Sequence, residues 1–275
     1  MGAEMKEHRR GRLGWLSGEG LSSRGIIHGF TMRYGGVSRG AFASLNFTSR
    51  QGDRPERVGE NWNRIEGAAA LPPGGWALVS QVHGAAVVEV ATGEKPCHHR
   101  LDCPPADALV AAGAGVTLGV LTADCLPAIL GTPDGGAVAV AHAGWRGTLL
   151  GVLPETVQRL CSSAKAEPGE LRAFLGPAIG PCCCQVGDEV RRTFAEHWGE
   201  GFARHVFRRS DPWHLDLVEA NRIQLLDAGL AGEKISAAGL CTVCRPDLFF
   251  SHRRDGERTG RMLAFAAPAE KPDGG

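Results

Sequence analysis

Three residues of metal-binding type stand just after three separate apolar runs of the chain. They are His83 after residues 76–79, Cys125 after residues 116–121, and His142 after residues 137–141. Two imidazoles and one thiolate form a borderline-soft set that suits zinc, and three protein ligands leave a fourth position open, as in catalytic zinc sites. The sequence therefore predicts an open zinc site made by these three residues.

The same ligand types also suit copper. A blue-copper centre needs a weak axial methionine, but none of Met1, Met5, Met32 and Met262 closely follows the ligands. A laccase-type trinuclear cluster would need several His-x-His pairs, and the sequence contains none. Zn²⁺ is therefore favoured over Cu²⁺.

Strand hairpins are the elements expected to position these ligands. Pro133-Asp134-Gly135-Gly136 carries an Asp-Gly pair that favours positive φ and a tight reversal. We expect the strands on either side of it, 116–121 and 137–141, to bring Cys125 and His142 together. The run at 86–90 predicts a similar hairpin around His83.

Two arginines stand where an anion could bind. Arg33 ends a predicted strand over residues 26–32, and Arg146 lies at the entrance of a predicted helix from residue 144 to about 163, which Pro154 would kink or restart. Guanidinium groups and the N–H groups of a helix N-terminus both bind phosphate.

Composition limits the class of protein. The chain has 275 residues, 43% of them hydrophobic, which is enough for one large domain or two small ones. Thirty basic and 30 acidic residues give no overall field that would draw the protein to nucleic acid or a membrane. Neither a signal peptide nor a bilayer-spanning apolar window is found, so we expect a cytoplasmic protein with nine reduced cysteines.

The predicted organisation is a flexible lead-in over residues 1–24, a single catalytic domain over 25–267, and a flexible tail over 268–275. Further amphipathic helices are predicted at 53–70, 186–198 and 216–229, and a strand at 171–175. The Cys241-x-x-Cys244 pair lacks a second CxxC, which favours a structural role, and Cys182-Cys183-Cys184 are interpreted as buried small residues. His98 and His99 are interpreted as solvated loop residues.

Six strings carry a family resemblance over residues 25–262: SQVHG, ADALV, TADCLPAIL, AHAGWRG, GPAIGPCC and LFFSHRRDGERTGRM. They resemble the purine nucleoside phosphorylases first described as multicopper polyphenol oxidases, or laccase-domain proteins. The resemblance implies a single α/β domain, a layered α/β/β/α sandwich with mixed sheets. It also implies zinc bound by His83, Cys125 and His142. This sequence departs from the family pattern at Cys184, where an aromatic residue is usual, and at His252, where the family has tyrosine.

The activity implied by the resemblance is phosphorolysis of adenosine, inosine and methylthioadenosine, with deamination of adenosine on the same metal. The partners would be purine nucleosides and phosphate, with the protein a monomer or homodimer. For this chemistry we expect Arg33, Arg146 and Arg253 to hold phosphate, and Asn46 and Gln81 to contact hydroxyl groups or the base. Asp124 would transfer a proton or orient a ligand histidine.

Two other functions fit the same residues. Cys125 and His142 could form the nucleophile and base of a metal-independent hydrolase or deamidase. Alternatively, the three ligands could hold a zinc ion that only stabilises a non-catalytic binding protein.

Overall fold

Two six-stranded sheets stack face to face in the computed structural model, which describes residues 5–91, 103–113, 115–210 and 212–269. In chain order the strands are β1 (Met5–Arg10), β2 (Leu13–Gly18), β3 (Ile27–Thr31), β4 (Trp76–Ala77), β5 (Val87–Val90), β6 (Ala108–Ala112), β7 (Thr117–Thr122), β8 (Leu126–Gly131), β9 (Ala137–Ala143), β10 (Arg172–Leu175), β11 (Gln185–Val186), β12 (Phe207–Arg208), β13 (Trp213–Leu215), β14 (Ile235–Ala237) and β15 (Met262–Ala267).

The helices are α1 (Glu19–Ser22), α2 (Pro55–Ala69), α3 (Trp145–Leu149), α4 (Val152–Ala164), α5 (Asp188–Trp198), α6 (Glu200–Val206), α7 (Leu217–Asp227) and α8 (His252–Asp255). Short 3-10 turns lie at Gly40–Phe42, Pro168–Glu170 and Gly232–Lys234. Within the described ranges, none of these helices has the length and apolar character needed to cross a bilayer.

Both large sheets are mixed. The first has the order β1-β2-β3-β15-β7-β4 and the second has the order β14-β10-β8-β9-β6-β5. In the first sheet β4 runs parallel to β7, and in the second the pairs β5–β6 and β10–β14 are parallel. A small third sheet has the order β11-β13-β12.

The alternation of side chains along the strands produces the layers. In β9, Val138 and Val140 join the core between the two sheets, whereas Ala137, Ala139 and Ala141 face a second core beneath α4 and α7. On the outer face of the first sheet, Trp62 and Ile65 of α2 pack against Leu263 and Phe265 of β15. The predicted α/β fold with mixed sheets is confirmed, and its layers follow the order α/β/β/α.

The N-terminal segment differs from its prediction. Residues 1–24 were expected to form a flexible lead-in, but β1 and β2 pair along their full length and every residue of β2 is buried. Leu13 and Trp15 pack in the core beneath α2. The lead-in is therefore part of the first sheet from residue 5 onward, while residues 1–4 and the tail from 270 lie outside the described ranges.

The hairpin prediction is right about the turn and wrong about one strand. Residues 132–137 form the predicted reversal, with Gly135 at φ 70°. The strand that pairs with β9 is β8, however, because β7 joins the other sheet between β15 and β4. The apolar run of β8 lies between the turn and Cys125, and it takes the place that the prediction gave to 116–121.

The predicted hairpin around His83 is also wrong. β4 belongs to the first sheet and β5 to the second, so the segment that carries His83 crosses from one sheet to the other. The predicted helix over 144–163 is divided into α3 and α4 at Gly151, whose φ is 77°. Pro154 lies in the first turn of α4, where its missing N–H breaks no helical hydrogen bond.

Candidate metal centre and cavity

His83, Cys125 and His142 form a cluster in which the candidate ligand atoms all lie within 4.8 Å of one another. Leu126 and Pro127 pair with Ala143 and His142 in the β8–β9 ladder, so Cys125 stands beside His142 at the open end of that hairpin. His83 reaches the same point from the segment that crosses between the sheets, and its ring lies edge to face with His142 at 4.9 Å. We call these three residues the ligand triad.

Asp107 orients the triad, and the sequence analysis did not single it out. Its Oδ1 accepts a hydrogen bond from Nδ1 of His142 at 2.8 Å, which leaves Nε2 of that ring free to face a metal. The Asp107 carbonyl accepts the His142 backbone N–H at 2.7 Å. The ADALV motif, in which Asp107 directly precedes β6, was the signal that could have identified it.

The same carboxylate shapes the backbone at His83. It accepts the N–H groups of Val82, His83 and Gly84 at 3.2, 3.0 and 2.6 Å. Three consecutive N–H groups can converge on one anion only if the chain curls, and His83 accordingly has φ 61°. Asp107 therefore holds two of the three triad residues.

Charge within the triad favours the ionised thiol. Burial of Cys125 opposes ionisation, but attraction and hydrogen bonds from His142 and His83 outweigh it and lower the thiol pKa to about 6. Burial likewise opposes a charged His142, but the neighbouring Cys125 and Asp107 raise its pKa to about 9. In the metal-free protein Cys125 and His142 thus form a thiolate–imidazolium pair, and a metal would replace the proton on the imidazole.

The triad fits a zinc ion in its donor chemistry. One thiolate and two imidazoles converge, His142 has its outward nitrogen fixed by a carboxylate, and a cavity of about 680 Å³ opens beside all three residues. That volume lies in the range of small-molecule sites. No methionine lines the described wall of this cavity, so the axial ligand of a blue-copper centre is lacking there.

Close packing at Gly144 keeps the triad together. A Cβ atom at this position would lie 3.0 Å from Sγ of Cys125 and 3.1 Å from Cδ2 of His83. Real Cβ atoms seldom have such close neighbours, so any larger residue must displace at least one ligand. Glycine at 144 is consequently a requirement of the site rather than of the backbone turn.

Two of the predicted anion-binding arginines are not at the cavity. The Arg33 guanidinium donates to the carbonyls of Ala43 and Pro246 and stacks on Phe250, so its donors are used within the fold. Arg146 is exposed and stacks on Trp145. Neither residue belongs to the cavity wall, and the expectation that they hold phosphate there is not supported.

Arg253 and Arg261 do line the cavity. Arg253 donates to the carbonyls of Cys183 and Gln185, and Arg261 uses one terminal nitrogen for the carbonyls of Thr259 and Gly260. Among the described residues, neither has a carboxylate partner. Burial lowers the pKa of Arg261, but an arginine stays charged at neutral pH. Arg261 was missed because nothing in its local pattern marks it.

Asn46 is fully buried and contacts protein on all sides. Its amide nitrogen donates to Thr48 and Asp53, and its oxygen accepts the Arg261 backbone N–H at 2.9 Å. It is not part of the cavity wall, so its role is to position Arg261 rather than to touch a hydroxyl group or a base. Gln81 does line the cavity, but both ends of its amide are bonded to the backbone of Leu121 at 2.8 Å.

Asp124 occupies a constrained position next to Cys125. Its φ is 93°, and its carboxylate accepts from Oγ1 of Thr242, Oγ of Ser251 and the backbone N–H of Arg253 at 2.5, 3.0 and 2.6 Å. These three donors hold an unfavourable backbone conformation in place. The geometry thus ties Asp124 to the turn that presents Cys125, although the residue also lines the cavity.

The two positions at which the sequence departs from the family pattern, Cys184 and His252, both lie on the cavity wall. Among the cysteines, seven described residues are free, but Cys103 is disulfide-bonded, which corrects the expectation that all are reduced. His98 and His99 lie outside the described residues.

Comparisons with known proteins match nearly the whole chain. The family model described as multi-copper polyphenol oxidoreductase laccase matches residues 27–268. The chain is 38% identical over 267 residues to a Geobacillus stearothermophilus protein named purine nucleoside phosphorylase YlmD, covering 94% of this chain and 96% of that protein. It is also 38% identical over 242 residues to Escherichia coli purine nucleoside phosphorylase YfiH, covering 88% and 93%.

Solved structures give the same result. The crystal structure of YlmD from Geobacillus stearothermophilus superposes with a TM-score of 0.85 at 36% identity, covering 96% of this chain and 99% of that one. The Bacillus licheniformis protein YfiH superposes with a TM-score of 0.86 at 30% identity, covering 92% and 96%. The match along nearly the whole sequence and fold shows that this chain belongs to the multi-copper polyphenol oxidoreductase laccase family, in which relatives are named purine nucleoside phosphorylases.

Proposed function

We propose that this protein is a zinc-dependent purine nucleoside phosphorylase that acts on adenosine, inosine and methylthioadenosine and also deaminates adenosine at the same site. The observation that carries the proposal is the ligand triad, which lies at a cavity of about 680 Å³ together with two arginines that have no carboxylate partner among the described residues. The relatives are named purine nucleoside phosphorylases, which supports the phosphorolysis part of the proposal.

Phosphate is the substrate that the two arginines suit. Arg253 and Arg261 present positive charge to the cavity, and a phosphate dianion would supply the missing partner. In phosphorolysis a phosphate oxygen forms a bond to the ribose anomeric carbon while the bond from that carbon to the purine nitrogen breaks. The electron pair leaves with the purine, which takes up a proton.

His83, Cys125 and His142 would hold the zinc ion, which would act as a Lewis acid toward a substrate oxygen. Residues of the chain position the ligands and the cavity arginines. Asp107 fixes the imidazole of His142, and Asn46 holds the backbone at Arg261. We assign Asp124 to positioning the Cys125 turn, because its carboxylate already has three donors.

The purine would lie against the wall that contains Cys184 and His252. This wall presents the thiol of Cys184 and the imidazole of His252, at the two positions where the family resemblance implies aromatic side chains. In the proposed deamination of adenosine at the same site, water adds to the purine carbon that bears the amino group and ammonia then leaves.

A metal-independent hydrolase is the second candidate, and the lowered pKa of the Cys125 thiol is the observation that favours it. A thiol nucleophile needs one base, however, whereas here two imidazoles lie within ligand distance of the sulfur. The third donor favours metal binding over nucleophilic catalysis.

The test combines elemental analysis with a phosphate-dependent assay. Purified protein should contain zinc at the triad and should convert inosine plus phosphate to hypoxanthine and ribose 1-phosphate. Cys125→Ala should lose both the metal of this site and the activity. Catalysis that survives this substitution, or a metal-free protein that is alkylated at Cys125 and loses a hydrolase activity, would contradict the proposal.

A further inference from the structure

A second cluster of metal-binding side chains lies apart from the ligand triad. Sulfur atoms of Cys182, Cys183, Cys241 and Cys244 all lie within 4.8 Å of one another. Sγ of Cys244 is 3.6 Å from that of Cys182 and 3.5 Å from that of Cys183. We call these four residues the cysteine cluster.

The spacing of the sulfur atoms fits a metal and not a disulfide. A disulfide bond is about 2.05 Å long, and all four cysteines are free. In a tetrahedral zinc site with Zn–S bonds of about 2.3 Å, the sulfur atoms lie about 3.8 Å apart. The observed separations of 3.5 and 3.6 Å approach that value.

Two chain segments build the cluster, each contributing two ligands. Cys182 and Cys183 follow β10, and Cys241 and Cys244 follow β14, the strand that runs parallel to it. A bridge between Ala178 and Cys241 joins the segments. The sequence analysis set this arrangement aside because it looked for a second CxxC, whereas the second pair is adjacent in sequence and comes from a distant part of the chain.

Gly180 contacts two residues of the cysteine cluster. Its backbone N–H donates to Sγ of Cys241 at 3.3 Å, a hydrogen bond that favours a thiolate over a thiol. A Cβ atom at Gly180 would lie 3.3 Å from both Sγ of Cys182 and Cβ of Cys241. Cys182 and Cys244 are exposed, so an ion could enter from solvent. The interpretation of Cys182 as a buried small residue is therefore wrong.

We propose that Cys182, Cys183, Cys241 and Cys244 bind a second zinc ion in a closed structural site. Four thiolates complete the tetrahedral shell, so no position is left for water or substrate, unlike the open site of the triad. The ion has no part in the reaction, and the proposal is independent of the proposed enzymatic function.

The second ion would stabilise one wall of the cavity. Cys184, which follows Cys182 and Cys183 in sequence, lines the cavity. Thr242 lies between Cys241 and Cys244 in sequence, and its hydroxyl donates to Asp124, which adjoins Cys125. Arg253 donates to the Cys183 carbonyl. Joining the two segments through a metal would therefore hold the cavity arginine and the Cys125 turn in their places.

Zinc content of full-length variants tests the proposal. Wild-type protein prepared with zinc and without air should contain about two zinc ions per chain, and Cys244→Ser and Cys125→Ser should each contain about one. Cys161→Ser is the matched control and should retain both, because this free cysteine lies outside both clusters. In Cys125→Ser protein, zinc X-ray absorption should show only sulfur neighbours, at about 2.3 Å.

A measurement on the wild-type chain avoids reliance on a variant that fails to fold. After chelation, N-ethylmaleimide should label the four cluster cysteines, and added zinc should protect them while Cys161 still reacts. Equal zinc content in Cys244→Ser and wild type, nitrogen or oxygen neighbours in Cys125→Ser, or labelling that zinc does not slow would each overturn the second site. Loss of zinc from the triad alone bears only on the proposed function.

Discussion

Oδ1 of Asp107 lies 2.8 Å from Nδ1 of His142, and both side chains are buried. Burial alone would raise the pKa of Asp107, but hydrogen bonds from His142 and from the backbone at Gly84 and His83 lower it below its usual value. The group is therefore a carboxylate that accepts a hydrogen bond from Nδ1 of the imidazole and fixes its tautomer. A metal at the triad would meet a histidine that is already oriented.

Asp107→Asn should weaken zinc binding at the triad about 10- to 100-fold, because outer carboxylates of this kind contribute that much to metal affinity. Competition with a chromophoric chelator measures the change. Asp247→Asn is the control, since Asp247 is exposed and pairs with Arg245. Unchanged zinc affinity in Asp107→Asn would show that His142 does not depend on this contact.

Gly144→Ala should reduce the zinc content of the triad and phosphorolysis together, because the added carbon would press on Cys125 and His83. The matched control is Gly59→Ala in α2, where a Cβ atom would have no neighbour within 4 Å. That control should bind zinc normally and gain up to about 1 kcal/mol in stability, since alanine favours a helix over glycine. Full zinc occupancy in Gly144→Ala would contradict the close packing described here.

Arg261→Gln should raise the KM for phosphate about ten- to hundredfold, since a hydrogen bond to a charged group contributes roughly 1.5–3 kcal/mol and each 1.4 kcal/mol is tenfold. Initial rates with inosine at varied phosphate give the value. Arg146→Gln serves as the control, because Arg146 is exposed and stands outside the cavity. If instead Arg146→Gln has the larger effect, phosphate binds at the α3 entrance.

Acid should destabilise the fold through His28. Burial lowers the pKa of His28 to about 4 from 6.5, and the ring accepts the Gly18 N–H through Nε2, so the folded protein holds it neutral. Below pH 6.5 the unfolded chain binds the proton and the native state does not. The contribution is therefore complete above pH 6.5 and is lost as the pH falls toward 4, by roughly 3 kcal/mol in all.

His28→Gln should consequently show a smaller loss of unfolding free energy between pH 7 and pH 4.5 than wild type, as measured by urea denaturation. His205→Gln is the control, since His205 is exposed and pairs with Glu219. Metal release at low pH affects wild type and His28→Gln equally. The difference between their losses of unfolding free energy therefore reports on His28 alone. Identical slopes would mean that this imidazole is protonated in the folded state.

The ligand types of the triad were readable from sequence because each stands at the end of an apolar run, where a strand presents its last residues at one edge of a sheet. The prediction that the three triad residues lie close together was correct, but part of its reasoning was wrong. Cys125 meets His142 through β8 rather than through the strand before it. The Asp-Gly turn was local and was predicted correctly, whereas the partner strand depended on which sheet β7 would join.

Roles that depend on distant contacts could not be read from the sequence. Arg33 and Arg261 both lie beside strands. The Arg33 guanidinium donates to the carbonyls of residues 43 and 246, whereas Arg261 lines the cavity. The cysteine cluster likewise unites residues 61 or 62 positions apart.

The sequence determined the fold class through its family resemblance. Its local patterns and side-chain chemistry determined the main helices, the turn before β9 and the chemical types available at the site. Only the tertiary structure decided which donors share a point in space, which arginines line the cavity, and that Asp107 serves two ligands at once. Those properties arise from the packing of segments that are far apart in the chain, and local sequence patterns do not predict such packing.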